Sequence, residues 1–220
     1  MMIKEKITEF QSTLPNHVTL VAVSKTKPVE DLIEAYDAGQ RIFGENKVQE
    51  MTAKYEVLPK DIQWHLIGHL QTNKVKYIAP FVSLIHSIDS EKLLIEVNKE
   101  AKKNNRVIPC LLQFHIANEE TKFGFNFDEV KELLESETFF TLQNISIVGI
   151  MGMASFTEVQ TQIREEFQTL HDYFQVLKSH YFKFNPDFKE ISMGMSGDYE
   201  LAIECGSTMI RVGSTIFGNR

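Results

Sequence analysis

Eight short apolar runs, rich in β-branched and aromatic residues, recur along the chain, and nearly every gap between them holds a longer stretch with helical spacing. The runs are His17–Val23, Gln40–Phe43, Gln63–Ile67, Leu84–Ile88, Val107–His115, Ile145–Met151, Glu190–Met193 and Met209–Val212. Strands that alternate with helices in this way call for a parallel sheet, because a parallel pair needs a crossover connection. The helix starts carry suitable residues. Pro28 sits where a first helical turn tolerates it, Asp89-Ser90 precedes the charged, Leu-spaced run Glu91–Lys103, and Thr157 precedes a run to about Ser179 in which Phe167, Leu170, Phe174 and Leu177 keep helical spacing. Eight such units in 220 residues come close to the smallest closed barrel of this kind, which typically takes ~250 residues. The expected fold is therefore an α/β, single-domain (β/α)8 TIM barrel over residues 1–220. The rival is an open doubly wound sheet, which expects a glycine-rich dinucleotide turn after the first strand. This chain has Ser24-Lys25-Thr26-Lys27-Pro28 there.

Charge and composition narrow the partners. With 30 acidic and 23 basic side chains the net charge is −7, which opposes the phosphate backbone of a nucleic acid. The opening MMIKEKITEF lacks a continuous apolar segment, and no later stretch approaches the ~20 apolar residues of a membrane span. Cys110 and Cys205 have neither metal-ligand spacing nor a secretory context, which points to a reducing cytoplasm. His65 and His69 are four residues apart, but a metal pair at that spacing needs a helix, and Trp64–Ile67 reads as a strand; a hydrogen-bonded structural role is expected for both. Glu129, Glu132 and Glu135, with Lys131 among them, form a solvated helix face.

In such a barrel the chemistry belongs at the C-terminal strand ends. The unusual residues collect there: Val23-Ser24-Lys25 after the first run, Gly44-Glu45-Asn46 after the second, His65 to Gly68 after the third, Gly194-Met195-Ser196 after the seventh and Arg211-Val212-Gly213-Ser214 after the eighth. Lys25 shares the parity of Val21 and Val23, so it points into the barrel near its mouth. Burial there disfavours the ammonium and leaves more neutral amine, the form that attacks an aldehyde. The alternative is a lysine that snorkels to solvent. Lys27 has the same parity but lies farther out, so depth favours Lys25. The loops after strands seven and eight are the recurrent phosphate site of this fold, where Gly213 permits close backbone approach and Ser196 and Ser214 add hydroxyls. Arg211, two residues before Gly213, shares the inward side and lies below that loop, unless it is simply half of a buried ion pair.

An imine-forming lysine, a phosphate cradle and an arginine facing a ring nitrogen suit pyridoxal 5′-phosphate, although an aldolase would share the first two. An arginine donating to the pyridine nitrogen keeps it unprotonated, which holds the cofactor well and weakens the ring as an electron sink.

The motifs AVSKTKP (Ala22–Pro28), AGQRIFGENKVQE (Ala38–Glu50), WHLIGHLQTNK (Trp64–Lys74), GIMGMAS (Gly149–Ser155), ISMGMSGD (Ile191–Asp198) and GSTMIRVGSTIFG (Gly206–Gly218) run in order over nearly the whole chain. In these the chain resembles the YggS/PROSC family of pyridoxal phosphate homeostasis proteins, relatives of the barrel domain of bacterial alanine racemase. The resemblance implies that Lys25 forms the Schiff base with the cofactor, that Asn46 lies near its ring, and that Ser196, Gly213 and Ser214 hold its phosphate. It also implies that Arg211 faces the pyridine nitrogen and that Met151 and Met153 line the pocket, where their alternative is a place in the core. The fifth strand departs from the family: LLQFHIANEETKFGF has Phe114-His115 where Val-Asn is usual, which leaves open whether His115 takes the asparagine's place.

Three functions remain in play. The first, implied by the family, is a carrier that keeps pyridoxal phosphate as a reversible adduct and influences its supply to apo-enzymes, without dedicated turnover or a metal; the cysteines place it in the cytoplasm, and a single-domain barrel with no evident long apolar surface helix is expected to be a monomer. The second is an amino-acid racemase, which needs a second acid/base opposite the lysine; alanine racemases take a tyrosine from a C-terminal domain of the partner subunit, a domain this protein is expected to lack. The third is a sugar-phosphate aldolase or isomerase whose phosphate loops hold substrate.

Overall fold

The computed structural model describes residues 2–117 and 123–218. Eight parallel strands close into one barrel in chain order, with the last hydrogen-bonded to the first. They are β1 (Thr19–Val23), β2 (Ile42–Glu45), β3 (Gln63–Leu66), β4 (Leu84–Ile88), β5 (Ile108–Phe114), β6 (Ile145–Gly152), β7 (Glu190–Met195) and β8 (Met209–Val212). Helix α1 (Ile3–Thr13) precedes the barrel, and α2 (Val29–Asp37) and α3 (Val48–Val57) follow the first two strands. A single 3-10 turn at Thr72–Lys74 and the one-turn α4 (Val75–Ile78) follow β3, and α5 (Glu91–Lys103) follows β4. Helices α6 (Phe127–Glu135) and α7 (Glu137–Phe140) join β5 to β6, α8 (Gln160–His180) joins β6 to β7, and α9 (Tyr199–Glu204) joins β7 to β8. The short α10 (Ser214–Phe217) follows β8.

The expected strands are all present, with three shifted starts, of which that of β5 moves by a single residue, from Val107 to Ile108. Pro15 O takes the Val18 N–H at 2.9 Å, so His17 and Val18 belong to a turn and β1 begins at Thr19. Gln40 N–H closes the end of α2 on Ala35 O at 3.1 Å, which delays β2 to Ile42. Helix α5 covers Glu91–Lys103 as expected and is capped by the Ser90 hydroxyl, which accepts from Leu93 N. Helix α1 was not marked by its charged sequence; it buries Ile7 and Phe10.

Strand parity divides the interior in two. Outward residues such as Phe43, Trp64 and Phe114 pack with Phe167 under the helices. Inward residues Val21, Leu84, Leu111, Met151 and Met209 form a small apolar plug inside the barrel. Two residues farther along the strands the inward layer turns polar. His86 follows Leu84, Gln113 follows Leu111, and Arg211 follows Met209; each is buried. The apolar plug thus closes the barrel below a polar layer, and the site lies above that layer at the C-terminal strand ends.

Candidate functional site

A cavity of about 680 Å³ opens at the C-terminal face of the barrel. Lys25 from β1, Asn46 from β2, Ser196 from the end of β7, and Arg211, Gly213 and Ser214 from the end of β8 all line it. Met151 does not reach it. Its parity is inward, but it lies one layer too deep and is fully buried in the apolar plug, whereas Met153, two residues farther on, lines the cavity. His115 is likewise not among the lining residues; its N–H pairs with Phe125 O at 3.0 Å, and residues 118–122 of the segment that follows it lie outside the described residues.

Lys25 is half-buried, and its main chain is fixed on both sides. Ser24, on the outward side of the strand, donates its hydroxyl to Glu45 Oε1 at 2.6 Å. Lys54 from α3 donates to Ser24 O, Glu45 Oε1 and Glu50 Oε1, each at 2.7 Å. Glu50 Oε1 also takes the N–H of Thr26 at 2.5 Å, which holds Thr26 in a left-handed conformation at φ 65°. Burial pushes the Glu45 carboxyl up against the opposing pull of Lys54 and Ser24, and its Oε2 has no partner among the described residues. Lys27 is committed elsewhere: its ammonium donates to Phe217 O at 3.0 Å and Gly218 O at 3.1 Å, tying the β1 loop to the end of α10. Lys27 lines the same cavity and is half-buried like Lys25, so it is this engagement, and not depth, that sets Lys27 apart.

Arg211 is buried, and burial lowers its guanidinium to about 10. Among the described residues no carboxylate lies within ion-pairing distance of it. Nη1 donates to Ser192 Oγ at 2.6 Å and Nη2 to Gly152 O at 3.1 Å, and Asp198 acts on it only at longer range. The simple buried ion pair is therefore absent. Behind Ser192 stand two buried histidines, with His86 Nδ1 at 2.9 Å from Ser192 Oγ and His86 Nε2 at 3.0 Å from His65 Nδ1. His65 is thus hydrogen-bonded, as is His69, whose Nδ1 lies 2.9 Å from Asp89 Oδ2. His86 and Ser192 carried no sequence signal beyond inward parity.

The two loops at the far side of the cavity meet directly. Gly213 N–H donates to Ser196 Oγ at 3.2 Å, and a side chain at Gly213 would place its Cβ 3.0 Å from Val23 O, so any residue larger than glycine would crowd β1. Asp198 lines the same side and accepts from Met195 N at 2.5 Å, which fixes the turn that presents Ser196. The β6 loop adds Ser155, Phe156 and Thr157 to the wall; Ser155 is held by Glu166 from α8 through its N–H at 2.6 Å and its hydroxyl at 2.7 Å. The MAS ending of the GIMGMAS motif was the available pointer to that loop.

The profile of the family described as alanine racemase, N-terminal domain, matches residues 2–220. The pyridoxal phosphate homeostasis protein of Aquifex aeolicus is 41% identical over 208 residues, covering 93% of this chain and 88% of the relative. The protein of the same name from Schizosaccharomyces pombe is 40% identical over 213 residues, covering 96% and 87%. Among solved structures, PipY of Synechococcus elongatus with PLP bound superposes with a TM-score of 0.88 at 35% identity, covering 98% of this chain and all (100%) of that one.

Proposed function

The chain belongs to the alanine racemase N-terminal domain family, and on that premise we propose that it is a pyridoxal 5′-phosphate homeostasis protein that holds the cofactor on Lys25. One observation carries the reading: a lysine amine, a buried guanidinium and two hydroxyl-bearing loops share a single cavity. The residues fit the group. When bound, pyridoxal phosphate supplies an aldehyde that condenses reversibly with a primary amine, with loss of water, and a phosphate that serves as an anionic anchor.

Lys25 provides the amine, and the Lys54 cluster fixes the main chain from which it reaches into the cavity. Ser196 and Ser214 provide hydroxyl donors for the phosphate beside the Gly213 loop, and Asn46 provides an amide at the cavity wall. Arg211 provides a cation at the cavity floor for the ring nitrogen. A cation disfavours protonation of that nitrogen, which favours retention over carbanion chemistry.

The protein acts as a carrier without dedicated turnover. Racemisation needs a second acid/base opposite the lysine. Among the described residues that line the cavity, the ionisable side chains besides Lys25 and Arg211 are Lys27, engaged with main-chain carbonyls, and Asp198, which accepts from Met195 N. The buried, unpaired Cys110 and Cys205 support a cytoplasmic setting, where apo-enzymes that require the cofactor are the recipients.

The test is the visible absorbance of purified wild type and Lys25→Ala after incubation with pyridoxal phosphate, followed by borohydride reduction and peptide mapping. A yellow wild type with a pyridoxyl adduct on the Lys25 peptide, absent from the variant, is expected. A wild type that cannot be loaded sinks the reading. Amino-acid racemisation that is lost in Lys25→Ala would replace the carrier with an enzyme.

A further inference from the structure

Among the described residues no carboxylate lies beside the buried guanidinium of Arg211 and Asp198 acts on it only at longer range, so it needs another source of compensation, because desolvating a charge costs several kcal/mol. The groups packed against Arg211 are neutral: Gly152 O, Ser192 Oγ and, through Ser192, the rings of His86 and His65. Those three side chains come from β7, β4 and β3, so the chain of contacts crosses the interior of the barrel beneath the cavity.

The protons on this chain can run in two directions. In the first, Ser192 accepts from Arg211 and gives its hydroxyl proton to His86 Nδ1, and His86 Nε2–H donates to His65 Nδ1. Every group then turns its negative end toward the guanidinium. In the second, His65 Nδ1–H donates to His86 and His86 Nδ1–H donates to Ser192, so that the imidazole N–H dipoles point their positive ends at a cation. Electrostatics selects the first. The rings do not escape by taking a proton: burial lowers His65 to about 3, and burial together with the charges of His65 and Arg211 holds His86 well below its usual value.

We propose that Ser192, His86 and His65 form a one-directional hydrogen-bond chain that stands in for a carboxylate partner of Arg211, with His86 as a positioning residue that sets the guanidinium for the ring nitrogen of pyridoxal phosphate. The second half of this statement rests on the cofactor reading above; the first half is a property of the protein without the cofactor. His86 does not touch the cavity, so its effect on anything bound there passes through Ser192 and Arg211.

The test has two arms. In the first, the histidine ring nitrogens of the unliganded full-length protein are read by ¹⁵N NMR. The expected result is that His65 and His86 each carry a proton on Nε2 and none on Nδ1, unchanged between about pH 8 and pH 5. A proton on Nδ1 of either ring, or titration of either, overturns the proposal. In the second arm, wild type, His86→Leu and His86→Asn are loaded with pyridoxal phosphate ¹⁵N-labelled in the ring. Leucine removes the acceptor for Ser192, whereas the asparagine amide oxygen falls near the position of Nδ1. In His86→Leu the ring-nitrogen resonance is expected to move and release on dilution to quicken about tenfold, the worth of one hydrogen bond to a charged group. His86→Asn is expected to recover most of the wild-type behaviour. A folded His86→Leu with wild-type resonance and release overturns the positioning role; if that variant does not fold, His86→Asn with a ring nitrogen as perturbed as in Arg211→Met overturns it instead. A wild type that takes up no cofactor at all defeats the cofactor reading, and the tautomers of the first arm then decide the hydrogen-bond chain alone.

Discussion

Lys54 Nζ lies 2.7 Å from Glu45 Oε1 and, at the same distance, from the main-chain carbonyl of Ser24, the residue before Lys25. Both side chains of this ion pair are almost completely buried. The pair stands outside the barrel, between β1, β2 and α3, yet it grips the one stretch of main chain that the chemistry needs fixed. Glu50 extends the grip to Thr26 on the other side of Lys25.

Removing one partner of a buried pair leaves the other charge stranded, so Lys54→Met is expected to destabilise the fold by about 3–5 kcal/mol. The double variant Lys54→Met/Glu45→Gln removes the stranded charge while keeping an acceptor for the Ser24 hydroxyl, and is expected to regain at least half of that loss. Urea midpoints of the two variants and wild type decide it. Equal midpoints for the single and double variants would mean that Glu45 is protonated in the native protein and carries no charge to strand.

Much of this organisation was legible in the sequence because strand parity and strand-end position are local properties. Leu84–Ile88 and Met209–Val212 were read with their true ends, since both open and close on apolar residues and are bounded by turn or cap residues. Parity also placed Lys25 and Arg211 on the inner side. Depth was less legible: Met151 and Met153 share a parity, and only the closed barrel shows which of them faces the cavity. Partners across the barrel were not legible at all. His86 and Ser192 are 106 residues apart, and nothing in either strand indicates that a bulge between β7 and β8 brings Arg211 onto the same serine. The Lys54 cluster escaped notice for a related reason, because a lysine and a glutamate in a helix read as solvated until their burial is known.

The buried histidines set a pH dependence of stability. Their folded-state values lie below the ordinary 6.5, so the unfolded chain binds protons that the folded protein refuses. Stability is complete above about pH 6.5 and falls as pH drops from there, with His65 contributing about 1.4 kcal/mol per pH unit and hence about 2 kcal/mol by pH 5, and His86 acting in the same direction. Glu45 works in the opposite sense, because its raised value makes the folded state bind a proton more readily as pH falls. Urea unfolding of wild type and His65→Gln between pH 7 and pH 5 separates the contributions. His65→Gln is expected to lose stability over that interval about half as steeply, and parallel curves would show that His65 is not the group responsible.

Gly213 and Gly197 lie in adjacent loops of the same cavity but differ in the space around them. A Cβ at Gly213 meets Val23 O at 3.0 Å and Val23 Cβ at 3.2 Å, neither of which can yield without moving β1, whereas nothing lies within 4 Å of a Cβ at Gly197. Gly213→Ala is therefore expected to cost about 1 kcal/mol of stability and to weaken cofactor retention about fivefold, as its loop retreats from Ser196 and β1. Gly197→Ala is expected to leave stability unchanged. Thermal unfolding and equilibrium dialysis of the two variants provide the comparison, and a Gly213→Ala protein that retains the cofactor like wild type would remove that loop from the phosphate site.

Arg211 uses two different guanidinium nitrogens to reach Ser192 Oγ and Gly152 O, from two neighbouring strands, while still lining the cavity floor. A lysine keeps the charge but gathers its donors at one point, so it cannot hold both partners and face the cavity together. Arg211→Lys is accordingly expected to form the borohydride-trapped adduct on Lys25 at saturating cofactor, because the amine and its supporting cluster are untouched. Its cofactor is expected to dissociate about tenfold faster than from wild type, the cost of one lost hydrogen bond to a charged group. Stopped-flow dilution monitored by visible absorbance gives the rate, and mass mapping gives the adduct. A wild-type rate would show that charge alone, and not the fork of the guanidinium, is what the cavity floor supplies.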